Sequence, residues 1–235
     1  MIPRIKKNKK MSVNIMKKDF ILSNYMFKRL KISLVKLGIY NKKERKEIIK
    51  KSKKINDELI ASVVGVNSKN PMAANIYFSF PIIALYLAVN KSLDITTMET
   101  IVKFALDSFL VKLFYSTTNF NKEKDSEKFL NEMKKYSLWH ETHENDENSW
   151  SFDFSNSHKF SGCYYELHSC PIADTCKKLG LEDFNHILCN IDYITFGLSH
   201  GTLIRENTIA KGNNYCDFHV VGDKSKESMS LNSKK

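Results

Sequence analysis

Through its first 139 residues the chain has neither a cysteine nor a histidine; all five cysteines and all seven histidines fall between His140 and His219. Thiols and imidazoles are the side chains that most often act as nucleophiles, proton carriers and metal ligands near neutral pH. The first part therefore reads as scaffold, and the candidate chemistry is confined to the second. Other absences narrow it further. No Cys-x-x-Cys occurs and the number of thiols is odd, which argues against a disulfide framework. Cys163, His168, Cys170, Cys176, Cys189 and Cys216 are zinc-ligand types, but the paired short spacings of a structural zinc site are missing. With no signal-peptide pattern and no internal repeat, the reading is a reduced, cytoplasmic protein that needs no metal and no cofactor.

What is present in excess is positive charge, +11 formally, and its location removes most of its meaning. Residues 1–60 hold 19 Lys and Arg against 5 Asp and Glu, a balance of +14; the rest hold 18 against 21, a balance of −3. The half with the chemistry is thus slightly acidic. The run Lys42, Lys43, Arg45, Lys46, Lys50, Lys51, Lys53, Lys54 spreads around a solvated helix face and has no aromatic residue interleaved. A nucleic-acid groove offers stacking surfaces as well as charge, so no nucleic-acid partner is expected.

Periodicity divides the chain into a basic, disordered leader over 1–14, a helical region over 15–140, an α+β region over 150–221 forming one compact unit with it, and a Ser- and Lys-rich disordered tail over 222–235. Helical spacing predicts helices from about Asp19 to Leu37 and Lys42 to Val66. The apolar stretch Pro71–Val89 approaches bilayer length, but Pro81 at its middle favours a buried helix, kinked or interrupted there, over a membrane span. One helix is predicted from Asp94 to about Tyr115, with Phe109, Leu110 and Leu113 inward, and a short one over Glu127–Tyr136.

From Trp150 the period changes to two. Strands are predicted near Trp150–Phe154 and Lys159–His168, helices from Pro171 to Gly180 and from Asp183 to about Phe196, and strands over Thr202–Ile209 and Tyr215–Val221. The fold class is α+β: a helical N-terminal half packed on a C-terminal antiparallel sheet in β-β-α-α-β-β order.

Cys189 and Asp192, three apart on one helix face, offer a thiol beside a carboxylate; equally, Cys189 is a small buried hydrophobe and Asp192 a surface charge. If the last hairpin is symmetric about Lys211-Gly212, opposing residues have numbers summing to 423. Arg205, Asn207, Cys216 and Phe218 then share one face, with Arg205 diagonal to Cys216. An arginine there can hold a substrate carboxylate bidentately; an exposed Arg205 and a core Cys216 are the other reading. Asp217 would face Glu206, two carboxylates that need a cation or a proton between them.

Cys170-Pro171-Ile172, Leu179-Gly180-Leu181, Cys189-x-x-Asp192, Arg205-x-x-Thr208-Ile209-Ala210 and Gly212-x-x-x-Cys216-Asp217-Phe218 together resemble the L-2-amino-thiazoline-4-carboxylic acid hydrolase family. A fainter likeness runs through Asn70-Pro71, Ala84-Leu85-Tyr86 and Trp150. One departure is Asn213, where a second glycine would follow Gly212. The resemblance implies hydrolytic opening, at a carbon–nitrogen bond, of a five-membered ring whose central carbon carries sulfur and two nitrogens, giving a carbamoyl-cysteine. Such a site would use Cys189 or Cys216 as nucleophile or an activated water, Asp192 for the cationic nitrogens and Arg205 for the ring carboxylate, with His168 or His219 moving protons. Asn207 and Asp217 would complete the substrate contacts, Asp217 alternatively being structural. A small molecule is the expected partner, bound either for catalysis or by a non-catalytic sensing module, or turned over by a related enzyme of specialised metabolism.

Overall fold

The computed structural model describes residues 17–62, 70–143 and 149–232. The basic leader, the expected end of the second helix near Val66, and the acidic segment 144–148 lie outside the described residues. The chain divides between Asp94 and Ile95 into two compact units.

The first unit holds α1 (Lys17–Lys36), α2 (Lys42–Ser62) and α3 (Ala73–Ala88), with α3 packed against both others. Met26, Phe27, Leu30 and Leu34 of α1 and Ile55, Leu59 and Ile60 of α2 supply the walls. Helix α3 is buried and runs through Pro81 without ending, so of the two courses the sequence allows, kinked or interrupted, it is not interrupted. Proline has no N–H to give the carbonyl four residues earlier, that of Tyr77. Ser23 Oγ of α1 donates to that oxygen instead, at 2.9 Å in a buried contact. The lysines of the basic run are exposed, and Lys51 Nζ donates to Ala88 O, a carbonyl at the C-terminal end of α3. Among the described residues, no helix is long and apolar enough to cross a membrane.

The second unit begins with α4 (Ile95–Leu106), α5 (Phe109–Tyr115) and α6 (Glu123–Glu141). The single helix expected to Tyr115 is broken, because Ser108 adopts an extended conformation and its Oγ accepts from Val111 N, capping a new helix. The restart changes which side faces the core: Val111 is buried, while Phe109, Leu110 and Leu113, expected inward, are exposed.

Four antiparallel strands follow in spatial order β1-β2-β4-β3: β1 (Phe152–Asp153), β2 (Cys163–Leu167), β3 (Gly201–Ile204) and β4 (Cys216–Gly222). Helices α7 (Pro171–Lys178) and α8 (Glu182–Leu198) lie between the pairs in sequence, giving the β-β-α-α-β-β order of an α+β protein. Pro171 opens α7, where its missing N–H costs nothing, and Gly180 ends it at φ +60°. Gly162 is required before β2: its φ is +68°, and a Cβ would collide with the Val220 carbonyl. Past β4, Lys226–Asn232 forms a short helix, α9, where composition alone suggests a disordered tail. Ser225 Oγ accepts from Ser228 N at its start, and Ser228 Oγ shares a 2.7 Å hydrogen bond with Thr202 Oγ of β3.

Strand alternation sorts the sheet into two faces. Cys163, Tyr165 and Leu167 of β2 stand opposite Val220, Phe218 and Cys216 of β4, on the side where α6 and α8 pack. Here Tyr165 stacks on Phe218 at 4.9 Å and Phe129 and Phe196 meet edge-on at 5.7 Å. Tyr164 and Glu166 stand opposite His219 and Asp217 on the other side.

Candidate functional site

The site is built where the C-terminal half of α8 lies over the end of β3. Buried Phe184, Ile187, Leu188 and Ile191 fix the roll of α8, which turns Cys189 and Asp192 toward Arg205. Pairs Leu203↔Val220 and Ile204↔His219 sum to 423, the register expected of the symmetric turn, so Arg205 comes level with Phe218. The connection is no tight hairpin, however. Ile209–Lys211 makes one 3-10 turn, opened by Ile209 N donating to Cys216 Sγ (3.2 Å) and closed by Gly212 at φ +86°. Asn213 needs no left-handed backbone; its Nδ2 donates to Asn207 Oδ1 at 2.5 Å, so the departure from the expected glycine is met by a side-chain tie.

Arg205 is the centre of this arrangement. Its side chain is 1% exposed; Nη1 donates to Asp192 Oδ2 at 2.8 Å and Nη2 to Cys189 O at 2.6 Å. The guanidinium lies over Tyr193 and Phe218, 5.0 and 4.9 Å from the ring centres. Nε alone has no partner. Burial works against the charge, but Asp192 outweighs it and holds the guanidinium ionised. Burial raises the Asp192 carboxyl above its usual range and Arg205 opposes the rise. Because the Asp192 side chain keeps 36% of its exposure, water reaches the carboxylate, and the pair is best described as ionic with one wet edge.

Three thiols lie within electrostatic reach of this pair and of one another: Cys189, Cys216 and Cys170 at the start of α7. Burial dominates at each. Cys170 is pushed up to about 12, against the opposing pull of the Ala173 and Ile172 N–H groups. Cys189 is raised by burial and then by Asp192, and Cys216 by burial against the Ile209 N–H. No thiol here rests as a thiolate at neutral pH. Tyr115 and Tyr165 complete the surroundings of Asp192, both raised by burial first and by that carboxylate second.

The residues singled out from sequence therefore fall into two groups. Cys189, Asp192, Arg205 and Cys216 come together on the α8 side of the sheet. His168, His219 and Asp217 do not join them. His168 Nε2 meets Glu166 Oε2 at 3.1 Å and His219 Nε2 meets Ser161 O at 3.0 Å, both on the opposite face. Asp217 is buried and takes the Glu206 and Asn207 N–H groups at 3.0 and 2.6 Å, which holds the chain after β3 in its irregular course. These two backbone donors answer the Asp217 carboxylate, and the Glu206 side chain is exposed. Asn207 is tied to Asn213 and, at 3.4 Å, to the Tyr215 hydroxyl. Sequence reasoning missed Cys170, Tyr115 and Tyr165 as neighbours of the pair. The Cys-Pro step at the head of α7 was a usable signal for the first; nothing local marks the tyrosines.

Comparison with known proteins bears on the same segment. Residues 70–220, more than half of the chain, match the family model described as L-2-amino-thiazoline-4-carboxylic acid hydrolase. The chain belongs to this family. No curated protein and no solved structure matches it. The matched residues of the family member include α7, α8, β3 and most of β4, and so every group just described around Arg205. The family's name makes it a hydrolase family.

Proposed function

We propose that the protein hydrolyses a small 2-amino-thiazoline-4-carboxylate-like ring, with Asp192 holding the cationic amidine nitrogens, Arg205 fixing Asp192, and Cys189 attacking the central carbon. The observation that carries the reading is the buried Arg205–Asp192 pair beside three thiols, within the matched residues. A carboxylate with one wet edge suits an amidinium, which needs a planar acceptor and a path in from solvent. Arg205 acts here as a positioning residue, because both terminal nitrogens are already engaged; Nε is the one nitrogen without a partner. Cys189 is preferred to Cys216 because it is half-buried, while the buried Cys216 sulfur accepts the Ile209 N–H.

For a product carbamoylated on nitrogen the atoms balance in one way. The Cys189 sulfur bonds to the ring carbon, the bond from that carbon to the ring sulfur breaks, and the thiol proton passes to the departing sulfur. Water then adds to the same carbon and expels Cys189 as its thiol. Both nitrogens stay on the carbon, which gives the N-carbamoyl-cysteine by opening at carbon–sulfur; opening at carbon–nitrogen would give the S-carbamoyl isomer instead. A thiol raised by burial suits this only if the substrate supplies positive charge, and a protonated amidine beside Asp192 does so. The five unpaired thiols fit a reducing, cytoplasmic setting.

Turnover of 2-amino-thiazoline-4-carboxylate, followed by carbamoyl-cysteine formation, tests the reading. Cys189→Ala is expected to abolish it with the fold intact. Full activity in Cys189→Ala, Cys216→Ala and Cys170→Ala alike removes the covalent step. A second reading, a non-catalytic binding module, is favoured by one observation, the absence of an activated thiol. It predicts saturable binding of the same compound, by calorimetry, with no product.

A further inference from the structure

The face of the sheet turned away from the thiols carries a second group of chemically capable side chains. Asp153 of β1 pairs in register with Glu166 of β2, and Glu166 with Asp217 of β4, so three carboxylates stand in a row across three strands. Asp217 is answered by backbone N–H groups. Glu166 is 7% exposed, and among the described residues no lysine or arginine pairs with it. Its Oε1 accepts from the Tyr164 hydroxyl at 2.8 Å and from Asn156 Nδ2 at 3.3 Å, which leaves Oε2 aimed at His168. Buried carboxylates are normally paired with a cation or bound to a metal.

We propose that Asp153, Glu166 and His168 form a binding site for a divalent first-row transition-metal ion. One ligand atom from each lies within 4.8 Å of the others. The closest pair, His168 Nε2 and Glu166 Oε2, is 3.1 Å apart. Two ligands each about 2.1 Å from an ion and about 95° apart are separated by roughly that distance, so these two need no rearrangement. Asp153 closes the third position from a half-exposed strand end; its Oδ1 and Oδ2 already accept from Ser155 N at 2.7 Å and Ser155 Oγ at 3.0 Å, and the second lone pair on each oxygen is what it offers an ion. The outer contacts also fit: Tyr164 and Asn156 orient the carboxylate, and Tyr215 stacks on the His168 ring at 5.6 Å. Two carboxylates and one imidazole form an oxygen-rich, thiol-free set that suits manganese(II) as well as zinc(II). The site ties the two-residue strand β1 to β2, and none of its ligands belongs to the cluster around Arg205.

Manganese(II) is the probe, because it has little affinity for the thiols on the other face and its free aquo ion is seen by electron paramagnetic resonance. The full chain, stripped with EDTA and desalted, is titrated with manganese(II) chloride. The expected result is one ion bound per chain, a rise in melting temperature with added metal, and affinity at least tenfold weaker in His168→Ala and in Asp153→Asn. His168 is exposed, so its replacement leaves the fold intact where Glu166→Gln need not. Cys189→Ala should bind as the unaltered chain does. No binding up to about 1 mM manganese, or binding unchanged in His168→Ala, overturns the proposal.

Discussion

Replacing Arg205 with methionine removes a charge that touches four neighbours, and its cost can be worked from the contacts. The side chain is 1% exposed and donates at 2.8 Å to Asp192 and at 2.6 Å to the Cys189 carbonyl, between the faces of Tyr193 and Phe218. Breaking a buried ion pair by deleting one partner costs roughly 3–5 kcal/mol. Asp192 keeps 36% of its exposure, so water answers the stranded carboxylate and the figure falls to about 3 kcal/mol. Asp192→Asn leaves a buried guanidinium without its counter-ion and should cost about 2–3 kcal/mol. The double variant has no stranded charge, and should cost about 2 kcal/mol less than the two single losses added together. Urea unfolding followed by tryptophan fluorescence measures this in the second unit, where both Trp139 and Trp150 lie. Additive losses refute the reasoning, because they would mean that Arg205 stabilises through its ring contacts alone.

Other consequences are as specific. His140 is 2% exposed, takes the Trp150 N–H on Nδ1 and has no partner on Nε2, and burial followed by the His143 charge lowers its pKa to about 4. The unfolded chain, near 6.5, binds the proton more readily, so stability is full above that pH and lost as pH falls toward 4. The loss is about 3 kcal/mol at most, seen in urea midpoints at stepped pH and absent from His140→Asn. Ser23→Ala removes the buried hydrogen bond to the Tyr77 carbonyl above Pro81 and should cost about 1 kcal/mol by far-ultraviolet circular dichroism, the cost falling when Pro81→Ala restores the N–H. Iodoacetamide at pH 7 should label native Cys163, Cys170 and Cys176 far more slowly than free cysteine, since burial raises them to about 11, 12 and 12. Rapid labelling of any of the three, read by mass spectrometry, would show that burial does not control its reactivity.

Much of the architecture was legible because it is local. Leu30 and Leu34 one turn apart, Pro171 at a helix head and the change of period at Trp150 each report on their own neighbourhood. The register of β3 and β4 matches the one a symmetric turn gives, although the connection itself is irregular, and with it comes the company of Arg205 and Phe218. The break at Ser108 was not legible, since Ile101 to Leu113 keeps an apolar spacing that one continuous helix also explains. Residue parity already separated Cys216 from Asp217 and His219. Placing His168 required the pairing of β2 with β4, a contact across about fifty residues that no local pattern encodes. The engagement of Arg205 by Asp192 depended on the roll of α8 over the sheet. For the same reason, Asp153 and Glu166 could not be recognised as partners before strand pairing put them side by side.

The bare backbone of β4 separates the two candidate sites of this protein. Cys216 and Asp217 are consecutive, yet one sulfur takes part in the helix-facing cluster while the next carboxylate braces the opposite surface. A sideways shift of this strand cannot be confined to one side. An ion clamped on the outer surface, or a substrate wedged under α8, would each tighten or slacken the groups behind it through a single peptide unit.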